Sequence, residues 1–241
     1  MRPIRWTLVA LPLAALACSV SLPSFQRISG SGNVVSLEQD VSDFDRIEIG
    51  HAFRATIHQG DSYSVVVRID DNLQPYLRVT QTGGTLSIGL DRDPGFSLGS
   101  VTLEAEITLP NLTSLEASGA SQATLVDFAS DGDVALEGSG ASRLGGKLQA
   151  GTLRLTLSGA STSNLAGSAQ SLTVDASGAS TADLSEYSVV DANVKASGAS
   201  SATVNASGTL DAEASGASHI RYIGNPTLGN VETSGASSIE A

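Results

Sequence analysis

Aromatic side chains are scarce in this chain of 241 residues, where they make up only 4% of the total. An interior with so few large rings must be narrow and layered, which excludes a wide globular core. The chain also has few charged residues, 16%, and as many as 25 glycines, and together these exclude a coiled coil. The hydrophobic content of 41% argues against a disordered chain.

Positive charge is in short supply as well. The chain has 13 Lys and Arg against 25 Asp and Glu, which gives a formal net charge of -12. This surplus of negative charge repels the phosphates of nucleic acids and of anionic lipid surfaces. We therefore expect no nucleic-acid partner.

Long apolar runs are missing except at the start of the chain. Residues 1–17 place Arg2 and Arg5 before an apolar stretch that is too short to span a bilayer, which predicts a signal peptide for export. Cys18, the single cysteine, follows directly. Residues 13–18 resemble a bacterial lipobox, and this resemblance implies that the signal is removed before Cys18 and that lipid is attached there.

Two other interpretations of Cys18 stay open. Cleavage after Ala15-Leu16-Ala17 would leave a free thiol, or the cysteine could be buried. Lipidation is favoured because the cysteine is solitary and lies early in an exported chain. The predicted location is therefore the bacterial cell envelope, with a membrane anchor through lipid at Cys18. Ser19 after the cysteine, by resemblance to enterobacterial lipoproteins, implies the outer membrane if the host is Gram-negative.

The next two segments are a predicted linker and a predicted β-rich region. Residues 18–32 mix Ser, Gly and Pro without a period and predict a lipid-anchored tether, with order beginning near Asn33. Residues 33–100 contain short alternating runs, which predict strands. Gly83-Gly84 lies between two of them and predicts a hairpin, and residues 70–76 predict a turn or a single helical turn.

Residues 101–241 are organised by the tetrapeptide Ser-Gly-Ala-Ser, which occurs seven times. Successive copies start 21, 19, 19, 20, 18 and 19 residues apart, a period typical of stacked repeats. We expect the tetrapeptide to form the turn of each repeat, because Gly permits unusual backbone angles and Ser hydroxyls can bond neighbouring carbonyls. The predicted turn residues are Ser118, Gly119, Ser139, Gly140, Ser158, Gly159, Ser177, Gly178, Ser197, Gly198, Ser215, Gly216, Ser234 and Gly235.

Apolar residues alternate before and after each tetrapeptide, as they do in strands with one buried face. Ala176 and Ala179, three residues apart across a glycine, are both expected to point inward, with a bend at that glycine. A coil of about 19 residues with short strands predicts an all-β fold: a parallel β-helix, or solenoid. The crossover preference of parallel strands predicts a right-handed one.

With its repeats placed, the chain resembles the putative auto-transporter adhesin head GIN domain family of bacterial envelope proteins, from about Gly30 to Ala241. The residues that carry the resemblance are Gly32-Asn33-Val34-Val35, Asp43-Phe44-Asp45-Arg46-Ile47, Ile57-His58-Gln59-Gly60-Asp61, Asn72-Leu73-Gln74-Pro75-Tyr76-Leu77, Gly84 to Ile88 and the recurrent tetrapeptide. The resemblance implies a β-helical domain at the surface or in the periplasm, often anchored by lipid and without an established reaction.

The residues do not indicate a catalytic, metal or cofactor site. Three scattered histidines carry no metal signature. A polysaccharide-cleaving enzyme would need three or more acids and a basic residue gathered in one groove. The acids of the repeats are expected to be solvated because they lie at varied places relative to the tetrapeptide: Asp127, Asp131, Asp133, Glu137, Asp175, Asp183, Glu186, Asp191, Asp211 and Glu213.

These observations favour a non-catalytic scaffold or an adhesin-like binding module that presents a repetitive surface to a glycan or a protein. The alternative is a glycan-active β-helical enzyme of the lyase or hydrolase kind. A hydroxyl-lined strip beside the turns would favour binding, although its residues vary from coil to coil: Gln122, Arg143, Thr162, Thr181, Ser201, His219 and Ser238. The last coil leaves an unpaired edge, which predicts a cap or end-to-end self-association.

Overall fold

The computed structural model describes residues 26–91 and 96–241, so Cys18 and the predicted signal peptide lie outside the described residues. The described chain is nearly all-β, and its strands stack coil upon coil into a β-solenoid, which confirms the predicted fold class. Its helical element is a 3₁₀ helix at Asp71–Tyr76, in the segment where the sequence predicts a single turn. Among the described residues, no helix has the length and apolar character needed to cross a membrane.

The strands of the first half begin with β1 at Gln26–Ile28, which pairs with β8 and lies in the segment predicted to be a tether. Part of that segment is therefore a strand, because β8 supplies a pairing edge that the sequence pattern did not reveal. The other strands of this half are β2 Val34–Gln39, β3 Arg46–Ile49, β4 Arg54–Gln59, β5 Ser64–Asp70, β6 Leu77–Thr82, β7 Thr85–Leu90, β8 Phe96–Leu98 and β9 Leu103–Leu109.

The strands of the repeat region alternate between the two faces of the solenoid, and three of them are long enough to run from one face to the other. They are β10 Ser114–Ala117, β11 Gln122–Ala129, β12 Asp133–Gly138, β13 Arg143–Leu157, β14 Thr162–Ala176, β15 Thr181–Ala196, β16 Ser201–Ala206, β17 Thr209–Ala214, β18 His219–Ile223, β19 Thr227–Thr233 and β20 Ser238–Glu240.

We call the strands that precede each tetrapeptide the first face and those that follow it the second face. On the first face β7, β3, β10 and β12 pair in parallel, followed by the second halves of β13, β14 and β15 and by β17 and β19. On the second face the parallel order is β9, β4, β11, the first halves of β13, β14 and β15, then β16, β18 and β20. Each strand therefore lies over its equivalent in the preceding coil.

The first coil of the sequence is not the first coil in space. The coil of β3 and β4 lies between the coil of β7 and β9 and the coil of β10 and β11. In chain order, residues 46–59 form one coil, and β7 and β9 then form a second coil below it. The repeats begin with β10 and β11, which lie above the coil of residues 46–59. The predicted hairpin at Gly83-Gly84 joins β6 to β7 in antiparallel pairing, as expected.

The interior is a stack of aliphatic residues, one layer per coil. Leu136, Leu155, Val174 and Val194 lie in register on neighbouring strands and are almost fully buried. Because parallel strands lie about 4.8 Å apart, each coil covers the apolar layer of the coil below it. This narrow filling agrees with the small number of aromatic residues.

Antiparallel strands close one end of the solenoid. On the second face β5 pairs with β9 and β2 pairs with β5, both antiparallel, and on the first face β6 covers β7. The buried carboxylate of Asp70 stabilises this cap. It accepts hydrogen bonds from the backbone N–H groups of Gly32, at 2.9 Å, and Thr102, at 2.7 Å. Two donors far apart in the sequence are thereby held at one point.

Candidate functional site

The tetrapeptides lie where each coil passes from the first face to the second. In each copy the first Ser is half-buried or exposed, Gly and Ala are exposed, and the final Ser is buried in all but the last coil. The expectation that Ala179 points inward is therefore wrong. Ala176 and Ser180 are the inward residues, and the turn between them exposes Gly178 and Ala179.

The glycines of the turns lie directly over one another, and their φ angles are positive, for example +75° at Gly178. The carbonyl of each of these glycines before the last turn accepts a hydrogen bond from the backbone N–H of the alanine one coil later, at 2.7 Å for Ala179 and Gly159. A side chain on Gly178 would place its Cβ 2.6 Å from the Gly159 oxygen. The turn thus needs glycine both for its backbone angle and for the close approach of the next turn.

The buried serines bond neighbouring carbonyls in part of the stack. The hydroxyl of Ser161 donates to the carbonyl of Ser158 in its own turn at 2.8 Å and is 3.0 Å from that of Gly138 in the preceding coil. Ser200 makes the equivalent contacts. The expected hydrogen bonds of the turn hydroxyls are therefore present in these coils.

An eighth turn, at the same place in the coil, lacks the tetrapeptide and was not predicted from the sequence. Gly50, His51, Ala52 and Phe53 stand in the place of residues 118–121, and the φ angles of His51 and Ala52 are +61° and +66°. The Nδ1 atom of His51 accepts a hydrogen bond from the backbone N–H of Leu90 at 3.2 Å. The shared pattern of Glu two residues before the turn and Ala two residues into it would have revealed this coil.

A row of mainly acidic side chains runs along the outside of the first face. Its members occupy the position two residues before each turn and lie in register from strand to strand: Glu48, Glu116, Glu137, Thr156, Asp175, Lys195, Glu213 and Glu232. We call this set the acidic row. The expectation that the acids lie at varied places is therefore wrong for Glu137, Asp175 and Glu213, and the fixed offset from the tetrapeptide was the overlooked signal.

Like charges are adjacent at one end of the acidic row. Glu116 lies between Glu48 and Glu137, and burial, followed by the charges of these two neighbours, raises the pKa of its carboxyl group. The hydroxyl of Ser87 donates to Glu48 at 2.5 Å. Glu48, Glu116, His51 and Arg78 line an open groove of about 470 Å³. Arg78 is paired there with Asp91 at 2.7 Å.

A second groove, of about 310 Å³, lies near the other end of the row. It holds three acids and one basic residue, Asp175, Glu213, Glu232 and Lys195, which is the composition that a glycan-cleaving site would need. The four side chains lie in register on neighbouring strands of the first face. Lys195 donates to both carboxylate oxygens of Glu213, at 3.0 and 3.2 Å. In the described parts of the chain, no three His, Cys, Asp or Glu side chains are arranged to hold a metal ion.

The outside of the second face carries a different row, made mainly of hydroxyl and basic side chains, which we call the polar row. Its members lie in register immediately after the turns: Arg54, Gln122, Arg143, Thr162, Thr181, Ser201, His219 and Ser238. All of these residues except Arg54 were noted in the sequence as varying from coil to coil, and the structure places the eight side chains in one line. His219 is 2.6 Å from the Ser238 hydroxyl and 3.2 Å from the Glu240 carboxylate.

Comparison with known proteins gives a family and a shared fold. The family model described as putative auto-transporter adhesin, head GIN domain, matches residues 43–226. No curated protein matches the chain.

Three solved structures share the architecture. A putative adhesin from Bacteroides fragilis has a TM-score of 0.81 at 19% identity and covers 88% of this chain and 99% of its own. A putative adhesin from Parabacteroides merdae has a TM-score of 0.67 at 20% identity, with coverages of 89% and 98%. A putative lipid binding protein from Parabacteroides distasonis has a TM-score of 0.68 at 22% identity, with coverages of 89% and 99%. At such identities the likeness establishes the fold.

Proposed function

We propose that this chain, which belongs to the putative auto-transporter adhesin head GIN domain family, is a non-catalytic, adhesin-like binding module of the bacterial cell envelope. The observation that carries the proposal is the polar row, in which Thr162, Thr181 and Ser201 lie on successive coils. Side chains in such a row are about 4.8 Å apart, so an extended ligand meets one polar side chain at each step. Many weak contacts of this kind add up to useful affinity.

The polar row fits a glycan or a polar protein surface better than the acidic row does. Hydroxyl groups both donate and accept hydrogen bonds, and the row also carries the donors Arg54 and Arg143. The acidic row repels anionic ligands, including the acidic polysaccharides of many bacterial surfaces. We therefore place ligand binding on the second face.

A glycan array tests this assignment. The full chain should bind at least one class of glycan, and the double variant Thr162→Val and Thr181→Val should lose about tenfold or more in affinity, since each lost hydrogen bond contributes about 1 kcal/mol. Thr156→Val together with Thr173→Val is the matched control, because both threonines lie on the first face of neighbouring coils. Equal losses in both double variants, or no glycan binding by the parent chain, would rule out the polar row as a glycan site.

We also propose that lipid at Cys18 anchors the module to the membrane, with the outer membrane as the site in a Gram-negative host. The solitary cysteine after an export signal supports this proposal. The Cys18→Ser variant should move from the membrane fraction to the soluble fraction and should lose incorporation of a palmitate label. Unchanged partition of the variant would contradict the anchor.

A further inference from the structure

The two ends of the solenoid are built differently, and the end formed by β19 and β20 is open. Among the described strands, β19 pairs only with β17 and β20 pairs only with β18, so one edge of each has no strand beside it. Every residue of β19 is exposed. A free edge of seven residues is a ready template for pairing with another strand.

The apolar layers of the core also continue into this end. Leu228 and Val231 extend the layers of Leu210 and Ala212, which are 0% and 1% exposed, yet they are 47% and 40% exposed themselves. Ile239 extends the layer of Ile220 on the second face and is only half-buried. The end therefore presents an apolar strip flanked by two free strand edges, which is typical of an interaction surface.

The shape of each end indicates which partner fits. Among the described strands, the capped end has two strands on the second face beyond the coil of β7 and β9, namely β5 and β2, and one on the first face, β6. At the capped end the second face therefore extends one strand further than the first face, and we call this end stepped. At the open end β19 and β20 belong to the same coil, so both faces finish at the same level. A level end matches another level end better than a stepped one.

We infer that the coil of Thr227–Glu240 is a self-association surface, on which a second copy of this chain docks with its own open end. A twofold axis relates the two copies, so that identical edges meet and the assembly closes as a dimer. In this arrangement β19 of one copy pairs antiparallel with β19 of the other, and Leu228 and Val231 become buried. This inference does not depend on the ligand proposed for the second face.

Sedimentation velocity of the full chain carrying Cys18→Ser tests the association. The chain has a mass of 24.4 kDa and should form a dimer as its concentration rises. Charges on the free edge, Leu228→Lys with Val231→Lys, should weaken the dimer at least ~10-fold, because charged edge strands resist pairing. Val126→Lys with Val190→Lys is the matched control, since these valines are 36% and 37% exposed on other strands. The control should leave the dimer intact.

A cysteine cross-link tests the orientation even if the lysine variant fails to fold. The Cys18→Ser chain has no native cysteine, and Asn230→Cys would place one at the middle of β19. Two open ends that meet should give a disulfide dimer of this variant alone. The inference would be overturned if the Asn230→Cys variant formed a cross-link only after mixing with a Val34→Cys variant, whose cysteine lies at the capped end. It would also be overturned if the parent chain remained monomeric at high concentration. Neither the sedimentation result nor the cross-linking result depends on whether Thr162 and Thr181 bind a glycan.

Discussion

The stacked glycines of the turns meet two structural requirements, a left-handed backbone angle and a close approach to the neighbouring turn. Gly178 has a left-handed φ of +75° and also lies against the carbonyl of Gly159. Gly119 has a similar φ of +73°, but the residue beneath it is His51, and a Cβ would lie 3.4 Å from the nearest atom. The two glycines therefore separate the cost of the backbone angle from the cost of the close contact.

We expect a graded series of losses when glycines are replaced by alanine. Gly119→Ala should lower the free energy of unfolding by about 1–2 kcal/mol, the cost of a left-handed alanine. Gly178→Ala should cost more, by roughly 1–3 kcal/mol, because overpacking is added to the strain. Chemical denaturation followed by circular dichroism measures both values.

Gly132→Ala is the control for this series, because Gly132 has no left-handed φ and its Cβ would lie 3.7 Å from the nearest atom. It should change stability by less than about 1 kcal/mol. If Gly119→Ala and Gly178→Ala cost the same, stacking of the turns adds nothing to the need for glycine.

At the scale of the strand stack, the acidic row places like charges on neighbouring strands. Glu116 lies in register with Glu48 on one side and with Glu137 on the other. Charges directly opposite one another on paired strands destabilise a sheet. The row therefore lowers stability at neutral pH, and its repulsion is greatest where Glu116 is partly buried.

The Glu116→Gln variant should be more stable than the parent at neutral pH, by about 0.2–1 kcal/mol. Burial and the two neighbouring glutamates raise the pKa of Glu116 in the folded chain above the ordinary value of 4.5. The folded state thus binds a proton at Glu116 more readily than the unfolded state does. The destabilisation caused by the charged Glu116 carboxylate is therefore full above the pKa of the folded state and disappears as pH falls below about 4.5. Denaturation curves at several pH values would show the advantage of the variant shrinking on acidification.

Glu186→Gln removes one charge outside the acidic row and is the control for the change in net charge. An equal gain in this variant at neutral pH would show that the effect of Glu116→Gln comes from overall charge. If the gain in the free energy of unfolding of Glu116→Gln persisted below pH 4.5, ionisation of the Glu116 carboxyl group would not be its cause.

At the scale of the whole molecule, the repeats are independent layers, whereas the first coils are interlocked. Among the described strands, β14 pairs only with β13 and β15, which lie in the coils directly below and above it, as in other solenoids. The coil of β3 and β4, in contrast, is held between two coils that both come later in the sequence. We therefore expect the repeats to tolerate the loss of one coil and the first coils not to.

Deletion of residues 158–176 should leave a folded, shorter solenoid. The deletion joins Leu157 to Ser177, so one tetrapeptide takes the place of another and every inward side chain keeps its face. We expect a cooperative thermal transition with a lower midpoint, because one interface between coils is lost. Circular dichroism at increasing temperature measures it.

Deletion of residues 158–175, one residue fewer, is the control for register. It leaves an additional Ala176 beside Leu157, and a slip of one residue turns a strand's side chains to the opposite face. This variant should unfold at a markedly lower temperature than the first. Equal midpoints would show that the coils do not depend on register.

The sequence alone determined the solenoid, because its seven tetrapeptides repeat at nearly one interval and alternate apolar residues flank each of them. It also predicted the hairpin at Gly83-Gly84. These features are local or strictly periodic, so they can be read along the chain.

Only the tertiary structure decided which way the turn residues face, where the first coil lies and how the two ends differ. Ala179 points outward because Ala176 and Ser180, four residues apart, are the inward residues on either side of the turn, so the break in alternation expected at Gly178 does not occur. The coil at residues 46–59 lies second in the stack because strand pairing joins segments that are distant in sequence. Such pairing depends on which edges are free in space, and the order of residues along the chain does not contain that information.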